Sequence, residues 1–245
     1  MCYCKCVFID VGANDGQTLL DWPHQAAAQL VETKGMRRRA GMFPGLSASR
    51  WTMRQAPATR GILRRCMQKH SINQTCFYGF EGSRRFTSHL NKLRNHYLQT
   101  AHNVAVFTET VFAMQDGLAS FETHEGKVAS LGSRIGNGDH SSPAPGANKI
   151  TIRNVTSVNG SRFLEEISDA RFSGHVALKL DVEGFEYQIL EDLLSTGAVC
   201  APRLNLVAVE WHSPGNSSAF TPRSASELVR RLESSECNTT TMAWV

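Results

Sequence analysis

The run Val7-Phe8-Ile9-Asp10-Val11-Gly12-Ala13-Asn14-Asp15-Gly16 constrains this chain more than any other segment. A continuous apolar stretch ends in an acid and breaks into a turn holding two glycines. Gln17-Thr18-Leu19-Leu20 then opens a helical pattern. That order is how the first strand of a nucleotide-binding α/β domain passes into its first helix, with glycines where the backbone must turn tightly and approach a ligand. The dinucleotide fingerprint G-x-G-x-x-G is not met, so the turn alone does not name the ligand.

Two further segments stand where the same domain needs them. Phe77-Tyr78-Gly79-Phe80-Glu81-Gly82-Ser83 reads as a second short strand tipped by a carboxylate. An acid there is well placed to accept both hydroxyls of an adenosine ribose. His175-Val176-Ala177-Leu178-Lys179-Leu180-Asp181-Val182-Glu183-Gly184-Phe185-Glu186 is a third strand ending in acids, with a helix beginning at about Gly184. Three acid-tipped strands imply a ligand crevice outside their carboxyl ends.

Taken in order, D-V-G-A-N-D-G, F-E-G and K-L-D-V-E-G-F-E resemble the FkbM family of S-adenosylmethionine-dependent methyltransferases. Val111–Gly117 with Ser120-Phe121, and Asn205–His212, are weaker matches. The resemblance reaches across most of residues 7–212 and implies further sequence before the first strand. It implies a Rossmann-like class I methyltransferase fold of the α/β class, a mostly parallel central sheet flanked by helices. Residues after Asn238 allow at most one more strand, so the sheet is expected to lack an edge element. By the same resemblance, Asp10, Gly12, Asn14 and Gly16 form the methionine and ribose side of an S-adenosyl-L-methionine pocket. Glu81 holds the ribose hydroxyls, and Gln115 and Asp116 lie near the adenine. Two departures stand out: Gly82 replaces the usual proline after F-E, and the usual L-D before a helix is replaced near Thr156–Val158.

Along the third strand, Lys179, Asp181 and Glu183 share one side until the turn begins, because strand residues alternate faces. Asp181 is the first candidate for aligning an acceptor or taking its proton, and Glu183 the next. Lys179 pairs with either acid. His212 is an alternative base, since an ordinary imidazole titrates near neutrality. Glu186 favourably caps the first turn of its helix. A buried ion-pair network at the strand ends is the competing structural explanation. Asp181, Glu183 and Glu210 offer oxygens suited to magnesium, but acids at strand ends are common and no metal is assigned.

The whole chain, 1–245, reads as one domain interrupted by a basic insertion at about 35–75. Residues 34–70 hold ten Lys or Arg and no acid, within a net charge of +4. The remainder is therefore net negative, and no nucleic-acid partner is expected. The insertion reads as disordered or extraneous rather than as a binding arm. No apolar run approaches the roughly 18 residues of a membrane span. Without a secretory signal, a cytoplasmic location is the default, and the five N-x-S/T sequons at Asn73, Asn154, Asn159, Asn216 and Asn238 count as incidental. The seven cysteines show neither metal-ribbon spacing nor an even count, which favours free thiols.

Helices are expected over 17–31, from an N-cap at Ser83, over 162–170, after Glu183 as far as Gly197, and over 225–232. Strands are expected over 103–114, 118–122, 149–155 and 204–210, and a loop over 132–148, for which a plain surface connection and a cover over the acceptor site are the two readings. The functional expectation is O-methylation of a hydroxyl on a sugar or other small-molecule acceptor. The rivals are a binding protein that kept the fold and a nicotinamide-dependent oxidoreductase.

Overall fold

The computed structural model describes residues 4–14, 16, 66, 70, 74–99, 103–124, 134–135, 150–168, 174–212 and 225–243. The helix expected at 17–31, most of the basic insertion and most of the 132–148 loop lie outside them. The strands are β1 (Cys6–Val11), β2 (Thr75–Glu81), β3 (Asn103–Thr108), β4 (Thr110–Ala113), β5 (Gly117–His124), β6 (Arg134–Ile135), β7 (Ile150–Asn159), β8 (His175–Leu180), β9 (Leu206–Val209) and β10 (Thr240–Ala243). The helices are α1 (Arg84–Gln99), α2 (Gly160–Ile167), α3 (Glu186–Ser195) and α4 (Ala225–Leu232).

Six strands form the main sheet in the order β10-β9-β8-β1-β2-β3. Every pairing in it is parallel. β1 lies between β2 and β8 and is buried along its whole length, as its apolar residues require, with Asp10 the one buried acid in it. The sheet has six strands among the described residues, and its last member is the strand anticipated after Asn238.

Helices cover both faces. On one, Leu90, Leu93 and Tyr97 of α1 pack with Phe8, Phe77, Val104 and Val106. On the other, Ile189, Leu190 and Leu193 of α3 and Leu228 and Leu232 of α4 pack with Val7, Ile9, Leu178 and Val207. Leu190 is fully buried there. Leu190→Ala should therefore lower unfolding stability by about 2–5 kcal/mol with an unchanged denaturant slope in chemical denaturation.

A second, smaller sheet was not anticipated. Its order is β4-β7-β5-β6, with β4 parallel to β7 and β5 antiparallel to it. The strand expected over 103–114 is split at Glu109, whose φ of 52° turns the chain out of the main sheet. This sheet packs against the turn after β2: a Cβ on Gly82 would come within 2.6 Å of the Phe121 ring. Proline has no room at that position. The helix cap is kept despite the second departure, because the Asn159 side chain accepts the Arg162 backbone N–H at 2.8 Å.

The expectation of free thiols is overturned. Cys4 is bonded to Cys76, Cys6 to Cys66 and Cys200 to Cys237, across sequence separations of 72, 60 and 37. Spacing and count along the chain carried no information about partners so far away. The second of these bridges fixes Cys66, within the insertion, to the start of β1.

Candidate active site

Successive connections leave β1 in one direction to β2 and β3, and β8 in the other to β9 and β10. The order reverses between β1 and β8, and a crevice opens at such a point outside the strands' carboxyl ends. A cleft of about 540 Å³, open solvent at its mouth included, lies there. Gly12, Asn14, Glu81, Ser83, Asp181 and Glu183 form its polar side. Phe80, Phe86, Val111, Phe112 and Phe121 form its apolar side, the last three supplied by the small sheet.

Gly12, in the turn just past β1, sits against the backbone of Asp181, just past β8. Its φ is +81°, and a Cβ there would lie 1.8 Å from the Asp181 carbonyl oxygen. At the tip of β2, Glu81 is 5% exposed. Its Oε2 accepts the Asn14 backbone N–H at 2.7 Å and its Oε1 the Ser83 N–H at 2.6 Å. Burial pushes its pKa up to about 7, against the opposing pull of those two N–H groups. Each oxygen keeps a second lone pair for a ligand hydroxyl.

Asp10 and Lys179 lie behind the cleft. The buried Lys179 ammonium reaches Asp10 Oδ1 at 3.0 Å and Asp181 Oδ2 at 3.3 Å. Burial opposes its charge, but the two carboxylates outweigh burial and hold it above the ordinary lysine range. Lys179 is therefore a fixed cation that orients Asp181.

The D-V-E-G turn is organised by Glu186, whose role goes well beyond the helix-end charge expected of it. Its Oε1 accepts the Val182 N–H and its Oε2 the Gly184 N–H, each at 2.9 Å. Between these two bonds Glu183 is held at a φ of +55°, a conformation that costs about 1–3 kcal/mol and clusters at functional sites. Glu186 Oε1 also lies 2.8 Å from Nδ1 of His212, while Nε2 faces Glu183 at 3.6 Å and Glu210 at 3.7 Å. Burial lowers the pKa of His212, but the Glu186 contact and the surrounding carboxylates raise it more, leaving it above the usual histidine range. Burial, chiefly, pushes Glu183 up to about 7 and Glu210 upward as well. The reach of Glu186 back to two turn N–H groups resembles a capping box. No local spacing announces this reach, and the sequence alone places Glu186 only as a favourable charge in the first turn of its helix.

Other anticipated residues stand apart from the cleft. A Cβ on Gly16 would meet Leu93 and Leu90 of α1, so this glycine serves packing. Asp116 accepts the Asn159 N–H at 3.0 Å and pairs with Arg162 at 2.8 Å. The Gln115 carbonyl accepts the Ser157 hydroxyl. Both belong to the small sheet's framework. Asp181, Glu210 and His212 each bring a ligand atom to within 4.8 Å of the others.

The sequence matches the family described as Methyltransferase FkbM domain over residues 10–237. The chain belongs to the FkbM methyltransferase family. No curated protein and no solved structure matches it. The span shared with the FkbM family takes in all the strand-tip acids described above and supports methyl transfer as the general activity, with a methyl donor and a small-molecule acceptor. No described helix of this FkbM methyltransferase is long and apolar enough to cross a membrane.

Proposed function

We propose that this FkbM methyltransferase moves a methyl group from S-adenosylmethionine to a hydroxyl of a sugar or small metabolite. The observation that carries the reading is Glu81, fixed by two backbone N–H groups at the tip of β2, next to a β1 turn whose glycine has no room for a Cβ. This fits a ribose diol laid against the turn, with the Gly12 backbone close to the ligand. When bound, the sulfonium supplies an activated methyl carbon.

The chain's own residues do the remaining work. Asp10 and Lys179 lock the Gly12 turn to β8 and hold Asp181 toward the cleft. Glu183 takes the acceptor's proton, since it lines the cleft and titrates near neutrality. His212 acts as a cation anchored on Glu186 that keeps Glu183 in place, a positioning role and not that of a base. Glu183 and His212 titrate as a pair. Gln115 and Asp116 are left out of the adenine contact.

Two pH dependences follow, and they separate the roles. Donor binding requires Glu81 ionised, so affinity measured by calorimetry should rise about tenfold from pH 6 to pH 8 and level off. Glu81→Gln should make that profile flat. At saturating donor, turnover should rise through a pKa of about 7 as Glu183 loses its proton. Glu183→Gln should cut kcat by about 10²–10⁴ and abolish that rise, with donor affinity unchanged. Assay with labelled S-adenosylmethionine over a panel of hydroxylated acceptors decides the proposal. Donor binding with no turnover on any acceptor would favour the binding-protein reading.

A further inference from the structure

We propose that this chain matures in an oxidising compartment and carries N-linked glycans at Asn154 and Asn238. Two independent observations meet in this proposal. The first is that six of the seven cysteines form three bridges. Cys6, Cys66, Cys76 and Cys237 among them are buried, so the bridges belong to the core. All three lie at the amino edge of the main sheet: before or at the start of β1 and β2, and in the turns that precede β9 and β10. Each stabilises the fold by restricting the unfolded chain. Bridges of this structural kind persist where thiols are kept oxidised, and are rare in reducing compartments.

The second observation is the placement of the sequons. Asn154 is exposed on β7, and Thr156, the third residue of its sequon, is exposed on the same side. Val155 and Ser157, between and beyond them, point inward. Asn238 is exposed in the turn between Cys237 and β10, at a φ of 53°. Neither residue lines the cleft, so a glycan on either leaves the site open. Asn159 is different. Its amide is committed at both ends, accepting from Arg162 N at 2.8 Å and donating to the Met114 carbonyl at 2.6 Å. It is therefore the described sequon that stays bare.

The chemistry balances within one compartment. Each bridge forms as two thiols give up two protons and two electrons to a thiol-oxidising disulfide oxidoreductase. Each glycan attaches through a new bond from its anomeric carbon to Nδ2, as the bond from that carbon to a lipid diphosphate breaks and Nδ2 loses a proton. This inference is independent of the identity of the methyl acceptor.

The test uses the full chain taken from its own cells, with thiols alkylated at lysis and peptides mapped with and without reduction and glycosidase. The expected result has Cys4 bridged to Cys76, Cys6 to Cys66 and Cys200 to Cys237, with a glycosidase-sensitive mass on the peptides of Asn154 and of Asn238. Asn154→Gln and Asn238→Gln should each remove one glycan-sized step in gel migration while turnover stays within twofold. Alkylated thiols at any of the six positions before reduction, or an unmodified asparagine at either site, would overturn the proposal.

Discussion

Gly12→Ala should abolish donor binding and lower the stability of the whole domain by about 3 kcal/mol or more. Two effects add at this position. A φ of +81° is a conformation alanine resists, at a cost of about 1–2 kcal/mol. The new Cβ would also lie 1.8 Å from a backbone oxygen of Asp181, which has no rotamer to escape into. β1 and β8 must part, taking Asp181 and the Asp10–Lys179 lock with them. For a domain of this size the thermal midpoint should fall by about 6–12 °C. Gly197→Ala is the control, because its φ of +71° carries similar strain but its Cβ would meet nothing within 4 Å. Its cost should be that of the backbone alone, about 1–2 kcal/mol. Equal midpoints for the two variants would show that the close approach of the Gly12 turn to Asp181 has been misread.

Glu81→Ala should weaken S-adenosylmethionine binding by about 2–4 kcal/mol, roughly 30-fold to 1000-fold, as a charge-assisted double contact is lost. The buried carboxyl also holds the Asn14 and Ser83 N–H groups, so alanine loosens the turn as well. Glu81→Gln separates these contributions. It keeps the volume and one acceptor but cannot offer two anionic oxygens to a diol. Calorimetry should find most of the affinity gone in the glutamine variant, with a stability loss of about 1–3 kcal/mol because its NH2 faces one of the two backbone N–H groups. The native chain offers a second check through linkage. Because burial raises the folded-state pKa to about 7, the neutral carboxyl favours folding. That contribution is complete below the unfolded value of about 4.5 and is lost as pH rises through about 7. Stability therefore declines across the same interval in which donor affinity grows. Native affinity independent of pH between 6 and 8 would remove Glu81 from the donor site.

Much of the fold was readable because its signals are local. The run Val7–Val11 with its glycine turn, the three- and four-residue spacing of Leu90, Leu93 and Tyr97, and the closing Gly197 each act within a few residues of chain. Helix α4 falls on the range anticipated, Ala225–Leu232. The small sheet was not readable, because the positive φ at Glu109 and the long pairing of β5 with β7 depend on contacts across the fold. Cysteine pairing was misjudged for the same reason. So was Glu186, whose value lies in where its two oxygens reach and not in its distance from a helix end.

By itself, then, the order of residues determined that this chain builds a parallel sheet with acids at its strand tips, and it pointed to the FkbM family. Such patterns record burial and turning preferences that short stretches express on their own. Only the tertiary structure decided which acids face one another. It set Glu186 against His212, 26 residues apart, and drew Cys4 to Cys76 across 72. It also separated Glu81 and Glu183, in the cleft, from Gln115 and Asp116 outside it. Desolvation and ion pairing depend on distances through space, and those exist only once the sheet has closed.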